Sequence, residues 1–298
     1  MSLRLSVIIP VHNGAAALSA CLAALDGQSF PRGDFEVIVV DNGSTDDLAP
    51  LRRLFPGVRW LQESAAGSYA ARNTGLRQAG GPLLAFTDAD CVPDAGWLER
   101  GVAALTAGPA TIIGGEVPSI DPVGRDLNSY EMLETVMFGL GSIRRLIEER
   151  GFAITANLFT SRAVFDRVGE FDADLKSAGD REWVRRAVAK GERLGYAGDA
   201  IVRHPRRSTR AEFFRKQRRL VGGRMMILRR GRPGLGAVLA DLRLVSLLDP
   251  RVYRVAFGDP RAKGPARRIR FVAVVLGVSL FTTGEKLRLL LGGKPGRG

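Results

Sequence analysis

The first hundred residues alternate between short apolar runs and segments with helical periodicity. The runs LSVIIPV, FEVIVVD and LLAFT are apolar almost throughout, rather than at every second position. This pattern is typical of a parallel sheet that helices cover on both faces. We therefore expect these runs and VRWLQ to be strands, with helices near 15–25 and 68–78 and another capped near Ser44 or Thr45.

The pattern becomes mixed after about residue 110. Strands are expected at ATIIGGEV, FAITANLFTS and AIVRHPRR, and helices over 126–149 and through GDREWVRRAVAKG. From Ser208 onward we expect basic helices, broken at GRPGLG and GDPRAKGPARR, with the apolar stretches LGAVLADLRLVSLL and FVAVVLGVSLF. The fold class is therefore α/β: a Rossmann-like, mostly parallel sheet with helices on both faces over 1–207, followed by a basic helical C-terminal extension over 208–298.

Charge is unevenly distributed along this chain of 298 residues, whose formal net charge is +13. Residues 1–202 contain 20 Lys and Arg against 26 Asp and Glu, whereas residues 203–298 contain 24 against 5, so the two parts carry −6 and +19. A mildly acidic body with a strongly basic tail indicates that the tail binds an anionic partner, either a membrane surface or nucleic acid.

The two cysteines, Cys21 and Cys91, form neither a CxxC motif nor a disulfide framework. We expect both to be buried thiols in a reducing, cytoplasmic setting. The apolar run in MSLRLSVIIPVHN is too short for a signal peptide and is interpreted as the first strand.

Two aspartates follow the strand LLAFT, in the stretch TDAD. In an extended strand Asp88 and Asp90 would point to one side and Ala89 to the other. Adjacent carboxylates repel each other unless a cation lies between them, and Mg²⁺ prefers carboxylates, water and phosphate oxygens. The pair therefore predicts a metal that bridges a diphosphate. The alternative is that the pair caps the following helix, beside Asp94.

Three further stretches end or follow a predicted strand and precede a helix, which brings them to one crevice. They are PVHNG, VVDNGSTDD and GSYAARNTG. Together with TDAD and the later AGDREW, they resemble the family 2 glycosyltransferases of non-processive, bacterial type over about residues 5–205. The resemblance implies the GT-A fold, with a nucleotide-sugar-binding half at 1–109 and an acceptor-binding half at 110–207.

The resemblance also implies a reaction. A single sugar would pass, with inversion, from a nucleoside-diphosphate sugar to a hydroxyl acceptor in glycan or polysaccharide biosynthesis, and UDP is the expected nucleotide. The expected cofactor is a divalent metal, Mg²⁺ or Mn²⁺, that supports the departing diphosphate.

Individual residues take roles from the resemblance. Asp41 matches the acid that hydrogen-bonds the nucleotide base, and would otherwise be only a helix cap. His12 would stack on the base or be an ordinary surface histidine. Arg72 suits bidentate recognition of phosphate oxygens, and would otherwise be an ordinary helix-surface arginine. The expected donor-binding set is Pro10, His12, Asn13, Asp41, Ser44, Arg72, Asn73, Asp88 and Ala89.

The base in this family is an acid in a GED-like element, and Asp180 of AGDREW takes that position at a predicted helix start. Gly179 stands where a glutamate is common, so Glu182 remains the alternative base. Trp183 would form an apolar platform for the acceptor or else lie in the core. His204 matches a histidine near the metal or the diphosphate. The expected metal ligands are Asp90, Asp88 and His204.

Other functions fit less well. A dinucleotide-binding fold would show GxGxxG after the first strand, where this chain has PVHNGAAA. A sugar-phosphate nucleotidyltransferase remains the alternative enzyme, although HNGAAALSA lacks the basic residue expected there. A nucleic-acid-binding protein remains the alternative outside enzymes, but the tail's apolar stretches argue against it and we expect no nucleic-acid partner. Processive family members carry QxxRW, whereas KQRRLVGG has no tryptophan, so one sugar per encounter is expected.

The extension over 208–298 needs its own explanation. Its stretch FVAVVLGVSLF is 11 residues long, about half of the roughly 20 that a membrane-spanning helix needs. Short apolar segments among many arginines suit helices in the interface of an anionic cytoplasmic leaflet. We therefore expect a peripheral protein on the inner face of the cell membrane, acting on a sugar or lipid-linked acceptor. The alternative is that these segments pack on the catalytic domain or form a dimer interface.

Overall fold

The computed structural model describes residues 3–135, 143–230, 253–254, 257–258 and 264–294. The chain forms two compact units, and neither is a single continuous stretch. The first unit comprises Met1–Ser119, Gly141–Leu175 and Gly179–Pro205, and the second comprises Ile120–Leu140, Lys176–Ala178 and Arg206–Gly298. The functional division expected at residues 109 and 207 stays a prediction.

The first unit is built on a mixed sheet. Its strands are β1 (Leu5–Val11), β2 (Phe35–Asp41), β3 (Val58–Gln62), β4 (Leu83–Phe86), β5 (Val92–Pro93), β6 (Ile112–Glu116), β7 (Ser119–Ile120), β8 (Leu158–Ser161) and β9 (Leu194–Pro205). The strand order is β3-β2-β1-β4-β8-β6-β9-β5. Strands β3, β2, β1 and β4 are mutually parallel, and β8 is antiparallel to both β4 and β6.

Helices of the first unit connect these strands. They are α1 (Ala15–Asp26), α2 (Ala49–Leu54), α3 (Ser68–Gln78), α4 (Trp97–Ala107), α6 (Ile143–Arg150), α7 (Arg162–Val168) and α8 (Gly179–Ala189), with a short 3-10 helix at Arg32–Asp34. The second unit contains α5 (Ser129–Glu134), α9 (Arg210–Arg230) and α10 (Pro265–Leu290).

The strands of the N-terminal half form where the apolar runs predicted them, and α1 and α3 follow as expected. The expected helix cap at Ser44 or Thr45 is wrong, because α2 begins only at Ala49. Ser44 and Thr45 instead bond to Asn13, 31 and 32 residues away in the chain. Sequence periodicity does not report on partners at that distance.

Two expectations in the second half need correction. The strand in FAITANLFTS covers only β8, because a turn in which Asn157 N donates to the Ile154 carbonyl precedes it. The helix expected over 126–149 begins at Ser129, where the Asn128 side chain and Glu131 form a capping box. Residues 136–142 lie outside the described part of the chain, and α6 covers the end of the expected helix.

Parallel registry brings the carboxyl ends of three strands to one edge of the sheet. Pro10 pairs with Val40, and Val11 with Asp41, so β1 and β2 end side by side. Helix α3 packs closely over them, since a Cβ at Gly75 would lie 2.6 Å from Ile8 Cγ2. The end of β4 leads to Asp88 at the same edge, as the rule for open α/β sheets requires.

In the second unit, α5, α9 and α10 share an apolar core that includes Met132, Phe213, Phe271 and Val275. The stretch FVAVVLGVSLF lies within α10, which begins at Pro265 inside the expected break. The expected break at GRPGLG and the apolar stretch LGAVLADLRLVSLL lie outside the described residues. Among the described residues, no helix combines the length and apolar composition that crossing a bilayer requires.

Candidate active site

Two loops at the carboxyl ends of β1 and β2 are tied together by hydrogen bonds. Asn13 lies in the left-handed region with φ of 52°, a conformation that asparagine tolerates. Its Oδ1 accepts from Thr45 N at 2.7 Å, and its own N donates to Ser44 Oγ at 3.1 Å. Ala15 N, at the start of α1, donates to Asp46 Oδ2 at 2.8 Å. Asn13 and Ser44 therefore fix the shape of the crevice wall.

Asp41 lies at the base of this wall and is half-buried. Its Oδ1 accepts from Ser44 N at 2.9 Å, so the loop orients the carboxylate. Pro10 is also half-buried, whereas His12 is exposed, with Nε2 3.5 Å from Asn13 Nδ2. Pro10, His12 and Asp41, the residues expected near the base, thus occupy one rim of the sheet together with Asn13 and Ser44.

Asn42 is a supporting residue that sequence reasoning missed. It is buried, and its Nδ2 donates to the carbonyls of Glu63 and Ala65 at 2.9 and 2.8 Å. Its Oδ1 accepts from Gly67 N at 2.7 Å, immediately before α3. Asn42 therefore holds the loop that leads to Arg72. Its only sequence signal was an asparagine directly after a strand end.

Arg72 of α3 is buried and faces the aspartates. Its guanidinium pairs with Asp88 and lies 5.5 Å from the centre of the Tyr69 ring. Among the described residues, its Nε has no hydrogen-bond acceptor. A buried guanidinium with a donor to spare suits an anionic ligand.

The buried side-chain amide of Asn73 is bonded to backbone at both ends, which corrects its expected donor contact. Its Nδ2 donates to the Phe171 carbonyl at 2.8 Å, and its Oδ1 accepts from Phe171 N at 3.1 Å. Because both ends of the buried amide bind backbone, Asn73 positions α3 against the segment that precedes α8.

Asp88 and Asp90 do not lie in a strand, so the alternation argument for one shared face is wrong. β4 ends at Phe86, and a turn follows in which Cys91 N donates to the Asp88 carbonyl at 3.0 Å. Asp88 pairs with Arg72, whereas Asp90 Oδ2 lies 3.4 Å from His204 Nε2. Ala89 packs against the core between them.

The helix-capping alternative for the aspartates also fails. Helix α4 begins at Trp97, and Gly96 is its cap residue. Asp94 binds the Arg203 guanidinium with both oxygens, at 2.8 and 2.9 Å. The two aspartates therefore do not cap α4, and their contacts are with Arg72 and His204.

Asp90, Cys91 and His204 present ligand atoms within 4.8 Å of one another. His204 Nδ1 lies 2.7 Å from the Pro205 carbonyl, which can only accept, so Nδ1 carries a proton. In the neutral ring the Nε2 lone pair then faces Asp90, as in metal sites where a backbone carbonyl orients the histidine. A carboxylate and an imidazole in this arrangement fit a divalent cation such as Mn²⁺.

Both cysteines are buried free thiols, as expected. Burial raises the pKa of Cys91 well above its usual value, and the charges of Asp88 and Asp90 raise it further. Burial and the same two carboxylates raise the pKa of Cys21. Both side chains therefore stay protonated beneath the aspartates and contribute packing rather than charge.

Asp180 lies in the first turn of α8, next to the same charges. Its carboxylate accepts from Arg181 N at 2.8 Å and from Thr155 N at 3.3 Å. Burial raises the pKa of Asp180, the charge of Asp88 adds to this, and the backbone bonds and Arg72 oppose it. A carboxylate with a raised pKa is better matched to accepting a proton near neutral pH.

The glycine before Asp180 has a steric reason. A Cβ at Gly179 would lie 2.7 to 2.9 Å from ring atoms of Tyr69, the ring that also lies beside Arg72. The glutamate common at this position in the family would displace that ring. Glycine at position 179 is therefore explained by the close approach of the Tyr69 ring.

Glu182 and Trp183 have structural partners. Glu182 binds Arg186 at 2.9 and 3.1 Å along the surface of α8. Trp183 is fully buried, stacks on Phe165 with ring centres 4.4 Å apart, and donates from Nε1 to the Gly169 carbonyl at 2.8 Å. The expectation of an acceptor platform at Trp183 is therefore wrong, because its ring is enclosed by the core.

The second unit contains a cavity of about 440 Å³ that includes none of the expected site residues. Arg125 there binds Glu131 with both terminal nitrogens, and Arg267 binds Asp126 at 2.8 Å. These arginines are committed to internal ion pairs. The cavity is therefore not a competing candidate for the active site.

Comparison with known proteins identifies the family. The family model described as Glycosyl transferase family 2 matches residues 6–169 of this chain. Glycosyltransferase AglE of Haloferax volcanii is 37% identical over 241 residues, which cover 79% of this chain and 77% of AglE.

Two solved structures share the fold at low sequence identity. Mannosyltransferase PcManGT from Pyrobaculum calidifontis, in complex with GDP-Man and Mn²⁺, superposes with a TM-score of 0.63 and 19% identity over 97% of this chain and 88% of its own. TarS 1-349 of Staphylococcus aureus, in complex with UDP-GlcNAc, superposes with a TM-score of 0.56 and 18% sequence identity. The match covers 98% of this chain and 93% of TarS 1-349. The GT-A fold is thereby confirmed, and the nucleotidyltransferase alternative loses its support. The chain belongs to glycosyltransferase family 2 and is an enzyme that transfers sugars.

Proposed function

We propose that the protein moves one sugar, with inversion, from a nucleoside-diphosphate sugar to a hydroxyl acceptor. The observation that carries the proposal is the placement of Asp180: a carboxylate with a pKa raised by burial, on which the charges of Arg72 and Asp88 both act. One positioned base beside the donor motifs, with no second nucleophile evident there among the described residues, supports a single displacement and therefore inversion.

The rim formed by the β1 and β2 loops would bind the nucleotide. Asp41 would accept hydrogen bonds from the base, with Pro10 and His12 beside it. Arg72 would reach the diphosphate, because its buried Nε has a donor to offer and its partner Asp88 lies at the same edge. UDP is the proposed nucleotide.

A divalent cation is the proposed cofactor, held by Asp90 and His204 with Asp88 close by. The carbonyl that orients His204 and the 3.4 Å separation from Asp90 support this placement. The structure of PcManGT contains Mn²⁺, and Mn²⁺ or Mg²⁺ would suit the oxygen and nitrogen ligands here. Such a cation would stabilise the charge that develops on the departing diphosphate.

Asp180 would act on the acceptor. It takes the proton of the acceptor hydroxyl while that oxygen forms the bond to the anomeric carbon, and the electron pair of the broken glycosidic bond leaves with the nucleoside diphosphate. The backbone donors at Arg181 and Thr155 hold the carboxylate in place during transfer. Glu182 is the less suitable base, because Arg186 binds both of its oxygens.

The acceptor is proposed to be a sugar or a lipid-linked sugar, in glycan or polysaccharide biosynthesis. Residues 203–298 carry a formal charge of +19, which supports contact with an anionic cytoplasmic leaflet. The enzyme would then be peripheral, on the inner face of the cell membrane.

A donor screen tests the proposal. The full chain is incubated with a panel of nucleotide sugars, with Mn²⁺, with Mg²⁺ and with a chelator, and released nucleoside diphosphate is measured. Slow transfer to water allows detection without a known acceptor. We expect release from one class of donor, dependent on metal, and reduced in Asp180→Asn. Release that is equal in wild type and Asp180→Asn would overturn the assignment of the base.

A further inference from the structure

Helix α10 exposes a row of apolar side chains along one face. Its members, with their exposed fractions, are Ile269 (70%), Val272 (36%), Leu276 (43%), Leu280 (58%), Leu287 (45%) and, at the C-terminal end, Leu291 (89%). At about 100° per residue, they fall within a sector of about 100°. We name this row the α10 stripe.

Among the described residues, the stripe takes no part in the apolar core of the second unit. The opposite face of α10 carries the buried side chains Phe271, Val275, Val278 and Leu289. The first three belong to the cluster with Met132 of α5 and Phe213 of α9. One face of α10 therefore completes a core, while the other presents apolar surface to the outside.

Basic residues flank the stripe on both sides. Arg268 and Lys286 lie about 100° to one side of its centre, and Arg270 and Arg288 about 100° to the other. The only acid of this helix, Glu285, is buried on the inner side and pairs with Arg288. An apolar sector bordered by cations is the pattern of a helix that lies in the interface of an anionic membrane.

We propose that α10 lies flat on an anionic phospholipid surface, with the stripe at the acyl boundary and its flanking cations at the level of the headgroup phosphates. The inference rests on the proposed peripheral location and adds which face of which helix makes the contact. The helix, Pro265–Leu290, is about 39 Å long, which gives an extended line of contact.

Charge complementarity selects this occupant over a second copy of the chain. Two copies joined through the stripe would bring the flanking rows of arginine and lysine together, and like charges at an interface oppose association. Phosphate headgroups would instead neutralise both rows. The apolar side chains and the cations thus favour the same partner.

Vesicle sedimentation of the full chain tests the proposal. Vesicles of phosphatidylcholine alone and of phosphatidylcholine with phosphatidylglycerol are compared at low and moderate salt. We expect binding to the anionic vesicles only. The double variant Leu276→Asn with Leu280→Asn should lower the partition coefficient about tenfold or more, because both side chains lose apolar contact.

A matched control makes the same chemical change elsewhere. Leu54→Asn with Val123→Asn replaces two exposed apolar side chains, 65% and 99% exposed, that lie outside α10. This variant should bind like wild type. Arg270→Gln should lower binding to the anionic vesicles about fivefold, an effect that added salt reduces. Equal binding by the stripe and control variants would overturn the assignment of the face.

Two readouts separate this proposal from its alternatives. Light scattering during size-exclusion chromatography reports self-association: a dimer that Leu276→Asn with Leu280→Asn dissolves, without vesicle binding by wild type, would replace the membrane with a second copy. Donor turnover without vesicles should be the same in wild type and the stripe variant. If no donor released nucleoside diphosphate, the proposed reaction would be contradicted. Vesicle binding would still support contact between the α10 stripe and the membrane.

Discussion

Two carboxylates, one in each unit, are both affected by burial, yet their pKa values shift in opposite directions. Glu134 of the second unit accepts from Lys216 Nζ at 2.8 Å and from Arg207 N at 2.9 Å. Burial by itself would raise the pKa of Glu134, but Lys216 and Arg207 outweigh it and the pKa is lowered. Asp180 of the first unit accepts from the backbone amides of Arg181 and Thr155, and its pKa is raised. A directly paired carboxylate holds structure, whereas one held by amides is prepared to take a proton.

The largest effect is expected from replacing Asp180, the carboxylate of this pair that we propose as the base. Asp180→Asn keeps the shape but accepts no proton, so transfer should fall by a factor of about 100 to 10,000 while donor affinity is retained. The raised pKa means that the folded state disfavours the ionised form. The free energy of unfolding at neutral pH should therefore be unchanged or higher, which denaturant titration measures.

Glu182→Gln is the matched control, because Glu182 lies on the same helix and is bonded to Arg186, which also donates to the carbonyls of Val168 and Glu170. The pair is half-buried and the glutamine amide can still accept from Arg186, so activity should change less than about threefold. A loss in Glu182→Gln that exceeds the loss in Asp180→Asn would move the base to Glu182.

The second prediction concerns Glu134, the carboxylate of this pair that forms an ion pair in the second unit. Glu134→Gln removes the buried carboxylate that pairs with the half-buried Lys216, which should lower the free energy of unfolding by about 3 kcal/mol. Because the pKa of Glu134 is lowered, its contribution is present above the ordinary glutamate range and is lost as pH falls. Urea unfolding at several pH values measures both. Transfer activity of the remaining folded protein should be unaffected.

Two further variants sharpen the second prediction. Glu148→Gln removes one carboxylate from an exposed pair with Arg144 and should cost less than about 0.5 kcal/mol. Glu134→Gln combined with Lys216→Met should recover part of the lost stability, since burial lowers the pKa of Lys216 to about 8 and its charge is costly without a partner. A double variant as unstable as Glu134→Gln would show that the ion pair is not the cause.

The third prediction compares the two aspartates of the TDAD turn. Asp90→Ala removes a proposed metal ligand and should weaken Mn²⁺-dependent UDP binding about tenfold or more, by calorimetry. Asp88→Ala should weaken it less, because Asp88 is paired with Arg72, which then becomes available to the diphosphate. The order of the two effects identifies the metal ligand. A greater loss of UDP binding in Asp88→Ala than in Asp90→Ala would mean that Asp88 is the principal ligand.

The smallest expected effect concerns the pH profile. The negative charge of Asp88 raises the pKa of Asp180, so Asp88→Asn should move the acid limb of kcat/KM slightly toward lower pH. Asp94→Asn serves as the control, since Asp94 is bound to Arg203. A shift toward higher pH in Asp88→Asn would mean that Asp180 is not the group that titrates.

The sheet could be predicted because its signal is local. Strands β1, β2 and β4 are covered on both faces, so each is a nearly continuous apolar run that periodicity detects. The edge that carries the site follows from parallel topology. The placement of Asp41 and Asp88 at one edge of the sheet was therefore accessible from the sequence, whereas the position of Asp180 was expected only from the family resemblance.

The side-chain contacts within the site could not be predicted. Asn73 bonds to Phe171, 98 residues away, and Trp183 is enclosed by phenylalanines from other elements. A polar residue in a motif looks alike whether it faces a ligand or a backbone amide. The turn at Asp88–Cys91 is similar, because nothing in the apolar run indicates that β4 ends at Phe86.

The paired loops after β1 and β2 also constrain how this enzyme can be re-engineered. Asn13 and Thr45, and likewise Ala15 and Asp46, belong to different segments of the chain, yet each completes the other's hydrogen bonding. Transplanting one loop from another glycosyltransferase would leave a left-handed asparagine or a helix start without its match. The two loops form one hydrogen-bonded unit, so a variant with altered nucleotide preference should be made by exchanging both loops together.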